Sequence, residues 1–349
     1  MNPEGTVLTT KPTIAIAIGD PAGIGPEISL KAARDPAVRR IARPVLVGDP
    51  GVIERHAKAC ALPADFLILD RLNGADWPDD KLPLLACRSN EANDIPFGGN
   101  SAASGRVSLA AARAAIRAAL EKHVDAVVAA PQNQTSIAMA GIEFDGYPSF
   151  VARETSLAAP DVYLMLCFDD VKIVHCTLHV SVAQAIALIT PDRVRHVIRT
   201  TDRTLRRLGI AQPKIHVSGL NPHAGENGLF GREEIEIIGP AIAAAAAEGI
   251  DVAGPFGADT MFHRKGVDAF IVMLHDQGHI TAKLLARHAT AGLAIGSPIL
   301  FSSVAHGSGH DIVGKGVADP TAMIQAITRL ARAGATRSPL MPAKAGIQS

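Results

Sequence analysis

Short runs of β-branched and aliphatic residues alternate along this chain with longer segments rich in Ala, Leu and Arg. Ile14 to Ile18 (IAIAI) and Val45 to Val47 read as buried strands, because a short continuous apolar run suits a strand covered on both faces. Further strands are predicted at Ala126 to Ala130, closed by Pro131, and at Val162 to Cys167, Lys172 to Cys176, Lys214 to Val217 and Ala269 to Leu274. Helices are predicted at Glu27 to Ala33 after Pro26, Ser108 to Lys122, Val182 to Leu188, Pro191 to Leu208, Glu233 to Glu248 and Pro320 to Ala333. In the second of these Leu109, Ala112, Ile116 and Leu120 share a face, and Ser104 offers an N-terminal cap. Strands alternating with helices predict an α/β fold with a largely parallel sheet. Asp70 to Asn100, rich in Pro, Asn and Asp, reads as surface connection, and the two ends, 1–12 and 334–349, read as tails.

At ~150 residues per domain, 349 residues suggest about two domains. A hydrophobic fraction of 48% and a mean hydropathy of +0.19 supply ample core. The 34 basic residues balance 34 acidic ones, which argues against a nucleic-acid binder that must displace counterions from phosphates. Aromatics at 4% argue against a base-stacking platform. No apolar run reaches the roughly 20 residues needed to span a bilayer, so no membrane role is expected. The opening MNPEGTVLTTKPT lacks the basic-then-apolar pattern of a secretory signal. Cys60, Cys87, Cys167 and Cys176 form no CxxC pair, so reduced thiols in a cytoplasmic protein are expected.

Candidate chemistry begins with histidine. His179, His223 and His275 each follow an apolar strand, in KIVHCTL, IHVSGLNP and AFIVML. In open α/β sheets ligands collect at the carboxyl ends of strands. Lying 44 and 52 residues apart, these histidines would have to converge through the fold. Three neutral imidazoles with open positions suit a catalytic Zn²⁺ or a similar divalent ion; hydrogen-bonded structural histidines are the plainer alternative. His275 and His279 are also four apart, but Gly278 between them disfavours a regular helix, and HDQGH is not the HExxH pattern.

Two loops are rich in glycine. Gly19-Asp20-Pro21-Ala22-Gly23-Ile24-Gly25-Pro26-Glu27 follows a strand and opens a helix, a geometry that can present N–H groups to an anion or simply make a tight turn. It is not GxGxxG, because position 28 is Ile. In His306-Gly307-Ser308-Gly309-His310-Asp311-Ile312, the glycines permit close approach of a ligand, and Asp311 could accept hydrogen bonds from a ribose diol. A capped turn before a helix is the alternative.

Taken together, GDPAGIGPE, TLH, GLNPHAGE, GADT, HDQG with a following Lys283, and HGSGHDIVGKGVADP resemble the 4-hydroxythreonine-4-phosphate dehydrogenase family of pyridoxal phosphate biosynthesis, in one collinear order over about 13–330. The last motif also resembles the cofactor loop of isopropylmalate dehydrogenases. The resemblance implies a two-domain isocitrate/isopropylmalate dehydrogenase-like fold with a cleft between domains. The first domain would take 13–132 plus 295–333, and the second 133–294. It also implies NAD, a divalent metal (zinc first; Mg, Mn, Co or Fe as alternatives) and a homodimer with active sites at the subunit interface. By the same resemblance the metal ligands are His179, His223 and His275, and the catalytic residues are Lys283 and Asp259. His306, Gly307, Asp311 and Ile312 would meet the cofactor, with the Asp-Ile pair going with NAD.

The substrate side departs from that family. Where the phosphosubstrate enzymes carry Gly-His-Thr-Glu, this chain has Gly146-Tyr147-Pro148-Ser149; where they have His-Lys or Asn-Lys, it has Asn133-Gln134. A substrate arginine corresponds to Phe301 and an asparagine to Gly292. A phosphate dianion needs charge-assisted donors. Tyr147, Pro148, Asn133, Gly292 and Phe301 are therefore expected to meet a substrate that is not a phosphate ester, unless another base such as Arg287 compensates. AGIEFDGYPSF, HCTLHVSV and SSVAHGSGHDI look closer to a sibling branch, the dehydrogenases that rearomatise cis-dihydrodiols of aromatic carboxylates such as terephthalate with loss of CO₂. The expected reaction is metal-dependent, NAD-linked oxidation to a β-keto acid followed by decarboxylation. The alternatives are a dehydrogenase of 4-hydroxythreonine 4-phosphate or related phosphorylated four-carbon acids, and a ligand-binding protein that has lost catalysis.

Overall fold

The computed structural model describes residues 11–72, 77, 78, 80–157, 161–286 and 290–335; most of both expected tails, and Arg287, lie outside them. Twelve strands form one sheet: β1 (Thr13–Ala17), β2 (Arg43–Gly48), β3 (Phe66–Leu69), β4 (Leu82–Ala86), β5 (Ala126–Ala129), β6 (Tyr163–Phe168), β7 (Val171–His175), β8 (Lys214–Ser218), β9 (Asp251–Phe256), β10 (Ala269–Val272), β11 (Ala291–Ile295) and β12 (Leu300–Val304). Their order is β3-β4-β2-β1-β5-β12-β11-β6-β7-β10-β8-β9. Pairing is parallel except at β12–β11, β11–β6 and β6–β7.

The apolar runs are strands because both faces are covered. On β1, Ile14 and Ile16 enter one core cluster, and Ala15 and Ala17 enter another. On β5, Ala126 and Val128 divide from Val127 and Ala129 in the same way. This period of two is the geometry of the pleat. The helix Ala102–Leu120 covers one face with Leu109, Ala112, Ala115 and Ile116; the helices Gly25–Arg34 and Thr321–Ala335 cover the other with Ile28, Met323, Ile327 and Leu330. Each of the Leu, Ile and Met side chains among these, fully buried, contributes about 1.5–3 kcal/mol.

Several expectations are corrected. Asp70 to Asn100 is not all surface connection, since Leu82–Ala86 is a buried strand. Pro83 hid it, because proline reads as a strand breaker. The residue is tolerated because pairing with β2 begins only at Leu84. Ser104 does not cap its helix: Ser101 does, its side chain accepting from the Ser104 N–H at 3.1 Å. The segment predicted as one helix at Glu233 to Glu248 opens with a π-turn, Glu234–Ile238, before the helix Gly239–Ala247. The strands β3, β9, β11 and β12 are additional to those predicted.

The first glycine loop is built for close packing. A Cβ on Gly23 would lie 2.4 Å from the Ser308 carbonyl oxygen, and one on Gly25 would lie 2.3 Å from that of Ile18. The Ile24 N–H already donates to Ser308 O at 2.8 Å, and the Ala22 N–H to Asp20 Oδ1 at 3.0 Å. Asp20 is fully buried and also accepts from Ser104 Oγ at 2.5 Å and His310 Nε2 at 2.7 Å. The loop thus carries its own carboxylate and clamps the His306–Asp311 loop against β1.

Beside it, His56 Nε2–H donates to Pro21 O at 2.9 Å, while its buried Nδ1 has no partner. Burial, first, lowers its pKa to about 4. Between that value and the unfolded value near 6.5 the unfolded chain binds the extra proton, so stability present above pH ~6.5 is lost as pH falls toward ~4, by about 3 kcal/mol for this group. Urea unfolding of wild type and His56→Gln at pH 7 and pH 4.5 checks this: the variant keeps the donor but should lose less stability on acidification, and equal losses would refute it.

Candidate active site

One cavity of about 950 Å³ opens over β6, β11 and β12, with Leu164, Leu166, Gly292 and Ser303 in its wall. The helices Tyr147–Glu154 and His275–Leu285 and the loop at His306–Gly309 close its sides. Of the sequence-derived candidates, Tyr147, Pro148, His179, His275, Lys283, Gly292, His306 and Gly307 line it.

The imidazoles are its chemical centre. His179 and His275 have ring centroids 5.5 Å apart. The Nδ1–H of His179 donates to Asp145 O at 2.6 Å, and that of His275 to Asp276 Oδ1 at 2.7 Å. An acceptor on Nδ1 sets the tautomer and leaves Nε2 as a lone-pair donor, the arrangement that supports metal-bound histidine. Gly146 brings the two segments together: it starts the Tyr147–Glu154 helix at φ +136°, with His179 close by.

Two further histidines join them. Gly278, expected to disfavour a regular helix, sits within one, since His275–Leu285 is helical and carries His279 into the cavity wall. The rings of His275 and His279 stack at 3.8 Å, with planes 9° apart. Behind them His175, at the end of β7, is hydrogen-bonded through Nε2 to His279 Nδ1 at 3.0 Å. A Cβ on residue 278 would lie 2.4 Å from that Nε2, so glycine serves the close approach of His175 to the helix. Burial, with neighbouring imidazoles second, lowers His175 to about 3 and His279 to about 4, so both rings are neutral. The spacing that would have found them is present twice, in His-Cys-Thr-Leu-His and in His-Asp-Gln-Gly-His.

The remaining candidates lie elsewhere in the chain. His223 is exposed on the turn Pro222–Gly228, facing Glu226 and Phe230. Its strand β8 ends beside those of His179 and His275 in the order β7-β10-β8, but the chain from His223 to Asn227 runs through five left-handed residues. Left-handed backbone costs about 1–2 kcal/mol per non-glycine residue. Glu234 holds this turn, accepting from the N–H groups of Leu220 and Asn221 at 2.7 and 2.8 Å. Asp259 is exposed, and Gly257 lies close to both Asp259 and His223. Among the described residues no three His, Cys, Asp or Glu side chains form a metal-holding group, so within one chain His179 and His275 meet and His223 does not.

Phe301 is buried behind Tyr147, ring centroids 5.0 Å apart. Tyr147 itself donates to Ala130 O and accepts from Gln132 Nε2, both at 2.9 Å, and burial pushes its pKa up, so it stays a phenol. Asn133 caps the helix Gln134–Met139. Asp311 is exposed, with its carbonyl accepting from Lys315 Nζ at 2.7 Å, and Ile312 packs on the core.

Comparison with known proteins finds relatives over nearly the whole chain. The family model of the pyridoxal phosphate biosynthetic protein PdxA matches residues 40–330. The chain is 39% identical to the 1,2-dihydroxy-3,5-cyclohexadiene-1,4-dicarboxylate dehydrogenase of Comamonas sp, over 91% of this chain and 96% of that one. It is 38% identical to the 4-hydroxythreonine-4-phosphate dehydrogenase of Trichlorobacter lovleyi (94% and 99%) and 35% to the D-threonate 4-phosphate dehydrogenase of Cupriavidus necator (94% and 98%). Among solved structures, the 4-hydroxythreonine-4-phosphate dehydrogenase of Klebsiella pneumoniae superposes with a TM-score of 0.82 at 34% identity, covering 93% of this chain and 100% of that one. The terephthalate 1,2-cis-dihydrodiol dehydrogenase of Burkholderia xenovorans gives 0.69 at 42%, covering 93% and 98%. The chain therefore belongs to the family of the pyridoxal phosphate biosynthetic protein PdxA, whose relatives named here are all dehydrogenases.

Proposed function

We propose that this chain is an NAD-linked, divalent-metal-dependent dehydrogenase of a phosphorylated four-carbon hydroxy acid, D-threonate 4-phosphate or 4-hydroxythreonine 4-phosphate. The observation that carries it is the pair of imidazoles, His179 and His275, tautomer-fixed in one cavity with Lys283 and with His306 and Gly307 of the glycine loop. The names of most relatives given above favour this reading over a dihydrodiol substrate. The dihydrodiol reading has its own support in the wall formed by Tyr147, Pro148 and aliphatic side chains, where Lys283 is the one Lys or Arg among the described lining residues.

The Nε2 atoms of His179 and His275 fit a divalent cation, zinc first, which when bound supplies Lewis-acid stabilisation of charge developing on the substrate oxygen. NAD, when bound, would supply the hydride acceptor for the carbinol carbon, and Lys283 Nζ, on the same wall, would take the hydroxyl proton or pair with the substrate carboxylate. The product is a β-keto acid. In the proposed decarboxylation the bond to the carboxylate would break, CO₂ would leave, the electron pair would pass to the adjacent carbonyl as an enolate, and a proton returned from Lys283 Nζ or from water would complete the product. His306 and Gly307 would border the nicotinamide end of NAD, and Asp311 would accept from its ribose diol.

A homodimer completes the proposal. His223 and Asp259 share one exposed surface, and a two-fold axis would deliver them to the cavity of the other protomer. The helix Val182–Leu188 supports this, because Val182 and Ile186, one turn apart on one face, are 66% and 45% exposed beside the His179 loop. The two halves of the strand order, joined at β12–β11, are proposed to be the two domains, 13–132 plus 295–333 and 133–294, in an isocitrate/isopropylmalate dehydrogenase-like arrangement. Among the described residues no helix is long and apolar enough to cross a membrane, and a cytoplasmic location is proposed.

Three measurements test this. NADH formation should give a higher kcat/KM with D-threonate 4-phosphate than with the terephthalate cis-dihydrodiol; the reverse order favours the second substrate. Lys283→Ala should lower kcat by ~10²–10⁴-fold at unchanged fold. Light scattering should give twice the 36.4 kDa chain mass for wild type, and Ile186→Glu should yield monomers lacking both tight Zn²⁺ binding and turnover. An active, metal-loaded monomer would overturn the shared site.

A further inference from the structure

We infer that His279 is a specificity-determining residue: its Nε2 lone pair accepts a hydrogen bond from the donor on the carbon bearing the substrate carboxylate, and His175 is the positioning residue that fixes that lone pair. The inference rests on the dehydrogenase reading above and adds a residue to it.

The proton positions along this chain of imidazoles are forced one after another. The Leu164 carbonyl can only accept, so His175 carries its proton on Nδ1, 3.3 Å away. A neutral His175 then has a bare Nε2. His279 Nδ1, at 3.0 Å, must donate to it. His279 Nε2 is therefore bare as well, on a ring that lines the cavity. The proton order is set by a β6 backbone carbonyl two imidazoles away, in a place where Gly278 lets His175 reach the helix.

The same geometry excludes His279 as a second ligand to an ion on His275. An imidazole lone pair lies in the plane of its ring. The two rings are stacked at 3.8 Å, only 9° from parallel, so their in-plane lone pairs run side by side and do not converge. An ion on His275 leaves His279 Nε2 one ring-stack away, facing the neighbouring substituent of the substrate. The candidate substrates share a donor at that place: a hydroxyl in D-threonate and in the dihydrodiol, an ammonium in 4-hydroxythreonine. A neutral imidazole accepts from either, and a substrate lacking the donor would cover this acceptor and leave it unpaired.

The proton order can be read directly. Two-bond ¹H–¹⁵N correlation on ¹⁵N-histidine-labelled wild type should show His279 and His175 both protonated on Nδ1; protonation of His279 on Nε2 overturns the proposal. For the contact, D-threonate 4-phosphate is compared with its 2-deoxy counterpart, 3-hydroxy-4-phosphobutanoate, by kcat/KM and by calorimetric Kd. Wild type should prefer the parent by roughly 100-fold. His279→Phe keeps a ring to stack on His275 and should cut the preference below about 10-fold, while Co²⁺ content and absorption stay as in wild type. An unchanged preference, or loss of Co²⁺, overturns it. His175→Leu should leave Co²⁺ in place, give a mixed His279 tautomer and weaken the same preference; an unchanged tautomer removes the positioning role. Wild type that binds both compounds with the stated ratio but forms no NADH would refute the dehydrogenase reading and leave His279 standing.

Discussion

The antiparallel crossing of β12 against β11 is the constraint on which the site depends. β12 is hydrogen-bonded on its other side to β5, in parallel, and β11 to β6, in antiparallel fashion. The crossing therefore sets two runs of the sheet side by side in a fixed register, reinforced by Ser302 Oγ donating to Gly292 O at 3.1 Å. The cavity lies on these strands, so its floor is ladder-bonded backbone and cannot shift without breaking several hydrogen bonds. Gly292 sits in that floor against Leu164 and Ser303, where a side chain would fill space the cavity uses.

On that floor the imidazoles are held by acceptors of graded kind. A backbone carbonyl holds His179, a carboxylate holds His275, another imidazole holds His279, and a second carbonyl holds His175. Burial keeps the inner pair neutral, because charging either ring would put a cation beside other imidazoles in an apolar setting. The neutral state lets His175 Nε2 accept from His279 Nδ1, so packing and protonation are the same arrangement. Across the cavity the His306–Asp311 loop is anchored by the buried Asp20, whose carboxylate receives Ser104, His310 and the Ala22 N–H. A buried carboxylate with these donors satisfied is a rigid pin. It explains why the glycine loop binds its neighbours closely and keeps its N–H groups for them.

Much of the fold was legible in the sequence. Apolar runs such as Ile14–Ile18 read as strands covered on both faces, and the amphipathic spacing in Ser108–Lys122 reads as a covering helix. Placing His179, His223 and His275 after strands needed only the knowledge that ligands gather at carboxyl ends, and the collinear motifs identified the family. Pro83 masked β4, and Gly278 masked a helix and with it His279. Both residues break local patterns for tertiary reasons: one precedes the β2 ladder, and the other admits His175.

The sequence by itself therefore determined most of the inner strands and covering helices, the family and three candidate histidines, because hydrophobic period and motif order are local properties of a chain. Which histidines share a cavity was decided only by the tertiary structure. A left-handed turn held by Glu234 carries His223 away from its two companions, and the close packing of Gly278 brings His175 and His279 in. Phe301 and Tyr147, alike in the sequence as aromatic replacements, are separated into core and wall by the strand pleat and one hydrogen bond to Ala130. Such outcomes depend on distances between residues remote in the chain, and no local pattern encodes them.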